Sequence, residues 1–150
     1  MEIINTPNLN EARKQADKLK KENKPIALLS QDDEFNRKAL EIKGLNMLVI
    51  NENLHQKDYM KQRSSGLNEI LAKICADKGI EIGIQIEEII KKNDVEKAKS
   101  LARLAQNITL CKRTKTKMVF VSDKSLDKQA LNSILLSLGA DTKQAQQASF

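Results

Sequence analysis

Residues 67–85 read Leu-Asn-Glu-Ile-Leu-Ala-Lys-Ile-Cys-Ala-Asp-Lys-Gly-Ile-Glu-Ile-Gly-Ile-Gln. The first part predicts a helix from about Leu67 to Asp77, and Gly79 is placed to end it in a left-handed conformation. The apolar run from Ile80 to Ile84 is too short for a helix and is typical of a buried strand. The predicted inner stripe of the helix is Leu67, Ile70, Leu71, Ile74 and Cys75.

The same alternation of helices and buried strands continues on both sides of this unit. Further strands are predicted at 1–5, 26–29, 47–50 and 118–122, with a clipped strand at 148–150. Further helices are predicted at 9–22, from Asp32 or Asp33 to 43, at 85–91, from Asp94 to 114, at 126–138 and from 142. We therefore predict one α/β domain over residues 1–150, a partial or reduced TIM-like βα barrel with about five or six mainly parallel strands covered by helices. An open doubly wound sheet is the alternative.

The positive charge of the chain lies in one window. Residues 57–117 carry fourteen Lys or Arg against eight Asp or Glu, whereas the flanking segments are each neutral, so this window holds the whole net charge of +6. A localised basic band on a neutral scaffold is typical of a protein that docks a polyanion. Aromatic residues make up only 3% and Trp is absent, which argues against a surface that stacks single-stranded bases.

Apolar run lengths, the N-terminal sequence and the cysteines together predict an ordinary intracellular protein. No apolar run approaches the roughly 18 residues that a spanning helix needs, and no signal pattern opens the chain, so we expect a cytoplasmic protein with no membrane partner. Cys75 and Cys111 stand among apolar neighbours and are predicted to be buried free thiols.

Catalysis by this chain alone is not expected, and we predict neither catalytic residues nor a metal site. His55 is the only histidine and is predicted to be a surface residue of a loop, so we expect no His-x-His pair, no zinc site of ordinary composition and no Ser-His-Asp triad. The acids at 32–34 and the pair Glu87-Glu88 follow predicted strands, where they could hold Mg²⁺, but acids in a first helical turn favour capping. A small metal-dependent phosphoesterase on a βα barrel remains an alternative function.

Two segments favour phosphate binding. The loop with Lys61, Arg63, Ser64, Ser65 and Gly66 precedes a helix, where amide groups, hydroxyls and cations can hold a phosphate, although a plain Ser cap fits equally well. In the long helix, Lys99, Arg103 and Asn107 recur at i, i+4 and i+8 on one predicted polar face, with Leu101, Ala105 and Ile108 turned away. The segment 112–117 carries four cations, more than a helix end requires.

The segment Asp58-Tyr59-Met60-Lys61-Gln62-Arg63-Ser64-Ser65-Gly66-Leu67-Asn68, with Ile70-Leu71-Ala72-Lys73 after it, resembles ribonuclease P protein component 3, an archaeal and eukaryotic subunit family with a TIM-barrel-like fold. The likeness continues through Ile82-Gly83-Ile84, Arg103-Leu104-Ala105-Gln106-Asn107-Ile108, Cys111-Lys112-Arg113 and Val119-Phe120-Val121-Ser122 to the helix ending at Gly139. It thus covers about residues 57–140. The order of basic loop, Ser-Gly-Leu-Asn and Leu-Ala-Lys is its most specific part.

The resemblance implies an RNA-binding subunit that supports RNA-catalysed removal of the 5′ leader from precursor tRNA. It implies ribonuclease P RNA as the partner, precursor tRNA as an indirect one, protein component 2 as a paired subunit, and no cofactor on the protein, with Mg²⁺ on the RNA. The RNA-contacting residues that it implies are Lys61, Arg63, Asn68, Lys73, Arg103, Lys112 and Arg113, with Ser64 and Ser65 supporting the loop. Lys99 and Asn107 join this set from the helix pattern.

The sequence departs from the family in length and at one position. The chain reads as a shortened member that stops at Phe150 where relatives continue, and an incomplete barrel would leave sheet edges for a partner or a second copy to cover. Glu69 stands where family members often carry His after Asn. A protein that serves assembly without binding RNA is therefore a further alternative.

Overall fold

A computed structural model describes residues 2–54, 58, 62–122 and 124–148, and five strands alternate with seven helices in this part of the chain. The elements are β1 (Ile3–Ile4), α1 (Leu9–Lys21), β2 (Ile26–Leu29), α2 (Asp33–Ala39), β3 (Leu45–Val49), α3 (Glu69–Lys78), β4 (Glu81–Ile84), α4 (Ile86–Ile90), α5 (Asp94–Thr114), β5 (Met118–Phe120), α6 (Lys128–Ser137) and α7 (Thr142–Ala148). None of these helices is long and apolar enough to cross a membrane.

The strands form one parallel sheet in the order β1-β2-β3-β4-β5. Leu48 in the central strand pairs with Leu28 on one side and with Ile82 on the other. A sequential order without reversal is that of a βα barrel, whereas a doubly wound sheet reverses at a switch point. The predicted TIM-like fold is therefore confirmed, and β1 and β5 are the outer strands of its described part.

Each face of the sheet carries its own apolar cluster. Leu28, Leu48 and Ile82 are fully buried on the face that the helices cover. The opposite face, which would be the interior of a closed barrel, holds a second cluster of Ala27, Met47, Val49 and Val119, with Ile3, Leu29 and Val121 packed against it. The residues of a strand alternate between these two clusters, as the period of two requires.

Helix boundaries follow the capping chemistry of the sequence, with local differences. Asn8 is the cap of α1, because its side chain accepts hydrogen bonds from the Asn10 and Glu11 amides. The cap of α5 is Asn93 rather than Asp94, because the Asn93 side chain accepts from the Glu96 amide. The second helix ends at Ala39, earlier than the predicted Lys43.

Two predicted inner stripes are partly wrong. Ile70 is 63% exposed, although Leu71, Ala72 and Cys75 of the same helix are buried. The buried residues of α5 are Ser100, Leu104, Asn107, Ile108, Leu110 and Cys111, so Leu101 and Ala105 lie only at the margin of the core. Polar residues occupy part of the inner face because distant segments supply their hydrogen-bond partners. The predicted clipped strand at 148–150 is also wrong at Ala148, which ends α7, while 149 and 150 lie outside the described residues.

Both cysteines are buried free thiols, as predicted. Burial raises the pKa of Cys75 to about 12, against a small lowering by Lys78, and it raises the pKa of Cys111 to about 12 as well. A thiol with so high a pKa stays protonated near neutrality and is a poor nucleophile or metal ligand.

Candidate nucleic-acid interface

The loop between β3 and α3 is fastened to α5 by the side chain of Gln106. Its Oε1 accepts a hydrogen bond from the Arg63 amide at 2.9 Å, and its Nε2 donates to the Arg63 carbonyl at 2.9 Å and to Ser65 Oγ at 3.0 Å. A primary amide can serve a backbone donor and a backbone acceptor at the same time. Gln106 thereby fixes the backbone from which the Arg63 side chain projects into solvent.

Ser65 and Asn107 continue this attachment inside the protein. Ser65 Oγ lies 2.6 Å from Asn107 Oδ1, and Asn107 Nδ2 donates to the Ser65 carbonyl at 3.2 Å. Ser65 is 4% exposed and Asn107 is 2% exposed. The prediction that Asn107 shares the exposed polar face of Lys99 and Arg103 is therefore wrong, because its side chain turns inward to the loop.

Asp58 brings the two arginines of this surface together. Its carboxylate lies 3.6 Å from Arg63 Nη1 and 3.4 Å from Arg103 Nη2, and it accepts a hydrogen bond from the Ser64 amide at 2.7 Å. Partial burial by itself would raise the pKa of Asp58, but the Ser64 amide and the two guanidinium groups together lower it below the ordinary value. The carboxylate thus stays ionised and holds both arginines at one place on the surface.

A small polar cavity lies beside Arg103, at the carboxyl ends of β2 and β3. It measures about 20 Å³, room for roughly one water molecule. Its lining includes Ser30, Glu52, Ser65, Arg103 and Asn107. Among the described residues, Arg103 Nε is the one buried side-chain nitrogen or oxygen without a hydrogen-bond partner. The carboxyl ends of the strands are where TIM barrels build their sites, but this cavity is too small for a nucleotide.

Glu52 is the buried acid of this cavity. Its carboxylate lies 3.9 Å from Lys92 Nζ, and Lys92 also donates to Ser100 Oγ at 2.7 Å. Burial raises the pKa of Glu52 to about 7, although Lys92, Arg103 and Ser100 each act to lower it. The carboxyl group consequently changes its charge near neutral pH.

The start of α3 holds the second part of the predicted surface. Asn68 caps the helix by accepting a hydrogen bond from the Leu71 amide at 2.9 Å. Glu69 follows, and its carboxylate lies 3.8 Å from Arg113 Nη1 at the far end of α5. Both side chains are about 60% exposed, at 62% and 60% respectively. Lys73, one turn further along α3, is exposed.

The structure brings some predicted site residues together and leaves others apart. Arg63, Ser64, Ser65, Arg103 and Asn107 meet in one network with Asp58 and Gln106. Lys99 instead pairs with Glu96 at 3.4 Å, and Lys112 donates to the Gly139 carbonyl. Lys61 lies outside the described residues. The sequence alone predicts no role for Asp58 and Gln106. Both lie in the family motif near the arginines and serines of the network, and this position is the one signal that could have identified them.

The acids that suggested a metal site serve other purposes in the described part of the chain. Asp32 accepts a hydrogen bond from the Phe35 amide at 2.7 Å and so caps α2. Glu87 accepts from Ser122 Oγ, and Glu88 pairs with Lys91 at 3.1 Å. No group of three or more His, Cys, Asp or Glu side chains that could hold a metal ion occurs among the described residues.

Comparison with curated proteins finds ribonuclease P protein component 3 from three archaea, although no family model matches. The protein from Methanosarcina acetivorans is 34% identical over 61 residues, which cover 41% of this chain and 26% of the relative. The protein from Methanococcus maripaludis is 25% identical over 122 residues, which cover 81% of this chain and 50% of the relative. The chain therefore spans a quarter to a half of the length of these relatives.

Comparison with solved structures finds a chain in the cryo-EM structure of archaeal ribonuclease P with mature tRNA. The TM-score is 0.76 at 19% identity, and the match covers 97% of this chain and 62% of that one. An amidohydrolase matches with a TM-score of 0.61 at 13% identity, over 95% of this chain and 35% of that one. These likenesses concern the fold. With the sequence matches, they confirm the resemblance drawn from the sequence, and this chain is similar to ribonuclease P protein component 3.

Proposed function

We propose that this chain is an RNA-binding protein subunit of ribonuclease P and that it supports RNA-catalysed removal of the 5′ leader from precursor tRNA. The observation that carries the proposal is the similarity to component 3 in sequence over 81% of the chain, joined to a fold match over 97% of it. Ribonuclease P RNA is the proposed direct partner, and precursor tRNA is an indirect one.

The network around Asp58 supports the proposal physically. Arg63 and Arg103 are held on one carboxylate, and Arg63 is 47% exposed, so a guanidinium group is presented on a backbone that Gln106 fixes. Guanidinium groups bind phosphate oxygens in two-pronged geometry, and each neutralised phosphate favours the fold of a charge-dense RNA. Double-stranded RNA is recognised mostly through shape and backbone, which suits a surface poor in aromatic residues.

The protein takes no part in bond cleavage in this proposal. Mg²⁺ is expected on the RNA, and the protein lowers the concentration of Mg²⁺ that the RNA needs by neutralising phosphates. Component 2 is the proposed paired subunit in the cytoplasm, on the ground of the resemblance. A second copy of this chain is a further proposed partner, because β1 and β5 are outer strands in the described part of the sheet.

Binding measurements with two RNAs test the proposal. The chain is titrated into Methanococcus maripaludis ribonuclease P RNA and into an unrelated structured RNA of equal length, each at two salt concentrations. We expect tighter binding of the first RNA, with affinity that falls steeply with salt. Affinity that is unchanged between low and high salt contradicts the proposal. Equal binding of both RNAs would mean that the chain has only a basic surface that binds RNA without preference.

A double variant then connects binding to the structure. Arg63→Ala with Arg103→Ala is expected to weaken binding about 10-fold or more, because each phosphate contact contributes about one unit to the salt slope. The matched control is Lys14→Ala with Lys21→Ala, which removes two exposed cations from α1. If the unaltered chain binds neither RNA, the proposal is contradicted and a role in protein assembly becomes the favoured function.

A further inference from the structure

A basic groove lies between the end of α5 and the start of α7, away from the arginine network. It measures about 260 Å³ and is lined by Cys111, Lys112, Lys115, Thr116, Asp141, Lys143, Gln144 and Gln147. Three lysines face one acid in this lining, and the cysteine is buried. The lining therefore carries a net charge of +2, which suits an anionic partner.

Hydrogen bonds between the two helices fix the walls of the groove. Gln144 Nε2 donates to the Ile108 carbonyl of α5 at 3.1 Å. Asp141 Oδ1 accepts from the Gln144 amide at 2.8 Å, and Gln144 Oε1 accepts from the Asp141 amide at 3.2 Å. The acid of the groove is thus engaged in holding the start of α7. In the described part of the chain, the ammonium groups of Lys115 and Lys143 form no hydrogen bond or ion pair.

Lys115 occupies a backbone conformation that normally selects glycine. It caps α5 with φ 60° and ψ 38°, in the left-handed region. Gly79 caps α3 in nearly the same conformation, with φ 68° and ψ 25°. A residue with a Cβ atom is disfavoured there, and glycine is the usual choice at the end of a helix. The lysine therefore stands at a place where its side chain costs folding stability, which points to a use for its charge.

We propose that this groove binds the phosphate backbone of a structured RNA through Lys112, Lys115 and Lys143, as a second contact in addition to the Arg63–Arg103 surface. The inference rests on the proposed function and extends it to α7, whose residues the family motif does not include. Lysine ammonium groups act as point charges and recognise phosphate without reading base sequence. Arg103 and Lys115 are twelve residues apart on α5, about 18 Å along its axis, so one helix sets the spacing of the two contacts.

The test combines RNA affinity with stability. Lys115→Gly together with Lys143→Ala is expected to weaken binding of Methanococcus maripaludis ribonuclease P RNA about 5- to 20-fold at 0.1 M salt, and to make the salt slope shallower by about 1 to 2. The control variant Lys14→Ala with Lys21→Ala removes the same number of charges from α1 and is expected to change affinity less than 2-fold. Urea unfolding of Lys115→Gly alone is expected to show a midpoint equal to or above that of the unaltered chain, because glycine suits the left-handed cap.

Three outcomes would contradict RNA binding by the groove. A groove variant that binds as tightly as the unaltered chain overturns the inference and leaves the proposed function in place. Equal losses in the groove variant and in the α1 control also overturn it, because only net charge would then matter. If the unaltered chain binds no RNA, the proposed function fails and the inference fails with it.

Discussion

At the scale of single residues, Glu69 is the side chain that opposes the proposed function. Its carboxylate is 3.8 Å from Arg113 and faces solvent, so it offsets a cation that would otherwise be available to phosphate. We expect Glu69→Gln to raise affinity for ribonuclease P RNA about 2- to 5-fold, because an exposed pair of charges contributes up to about 1 kcal/mol. The measurement is an RNA titration at low salt.

A matched control exists for this change on another helix. Glu34 forms an exposed ion pair with Lys38 at 3.0 Å on α2. Glu34→Gln therefore removes the same charge from a site outside the predicted surface and is expected to change affinity less. Equal gains in the two variants would show that net charge, not the position of Glu69, controls binding.

Glu52 makes the stability of the fold depend on pH near neutrality. Its pKa is about 7 in the folded protein, raised by burial from an ordinary value of 4.5. Because the folded state binds the proton more tightly, the contribution of Glu52 to stability is complete below about pH 4 and is lost as pH rises through 7. Glu52→Gln imitates the protonated form. We therefore expect the free energy of unfolding of this variant, relative to that of the unaltered chain, to be about 2–3 kcal/mol higher at pH 8 than at pH 5.

Urea unfolding at the two pH values checks this expectation. Glu34→Gln again serves as the control, since it replaces an exposed carboxylate on α2. A constant difference in the free energy of unfolding between Glu52→Gln and the unaltered chain at pH 5 and pH 8 would refute the assignment.

At the scale of elements, the attachment of the loop to α5 depends on Asn107. Replacing Asn107 with Ala leaves the buried Ser65 carbonyl without its side-chain donor, and we expect a loss of about 1–3 kcal/mol in the free energy of unfolding. RNA affinity should fall as well, since Arg63 loses its support. Thr109→Ala is the control on the same helix, because Thr109 is exposed and its hydroxyl donates to the Ala105 carbonyl of its own helix. Equal stability of the two variants contradicts this account of the loop.

The elements also show what the sequence could predict. Apolar runs and glycine or asparagine caps are local signals, and they located the five strands and the end of α3 at Gly79. The inner face of α5 was harder, because Ser100 and Asn107 are buried only through partners at Lys92 and Ser65. Hydrophobic spacing along one helix contains no information about such partners. For the same reason the sequence indicates Arg63 and Arg103 as candidate RNA contacts, which stays a prediction, but it does not reveal that Asp58 holds the two side chains together.

At the scale of the whole molecule, Gly83 lies where side chains of the second apolar cluster leave no room for a Cβ atom. A Cβ atom added there would lie 2.8 Å from Met47 Sδ and 2.9 Å from Val121 Cγ2. We expect Gly83→Ala to destabilise the fold by about 1–3 kcal/mol, because the interior is already packed. Thermal or urea unfolding measures the loss.

A second variant distinguishes crowding from a general effect of the substitution. Val121→Ala removes one of the three close neighbours, of which Val49 Cγ2 at 3.0 Å is the third, so the double variant with Gly83→Ala should be more stable than the sum of the single changes predicts. Strict additivity would mean that the methyl group finds room and that the interior is looser than described.

The role that we propose for the chain is that of a ribonuclease P subunit. The most direct measurement is cleavage of precursor tRNA by Methanococcus maripaludis ribonuclease P RNA with its other protein subunits, in which this chain replaces component 3. We predict that adding the chain lowers the Mg²⁺ concentration needed for cleavage, and that Arg63→Ala with Arg103→Ala reverses much of this effect. An unchanged Mg²⁺ requirement, in an assay where the Methanococcus component 3 does lower it, would contradict the claim.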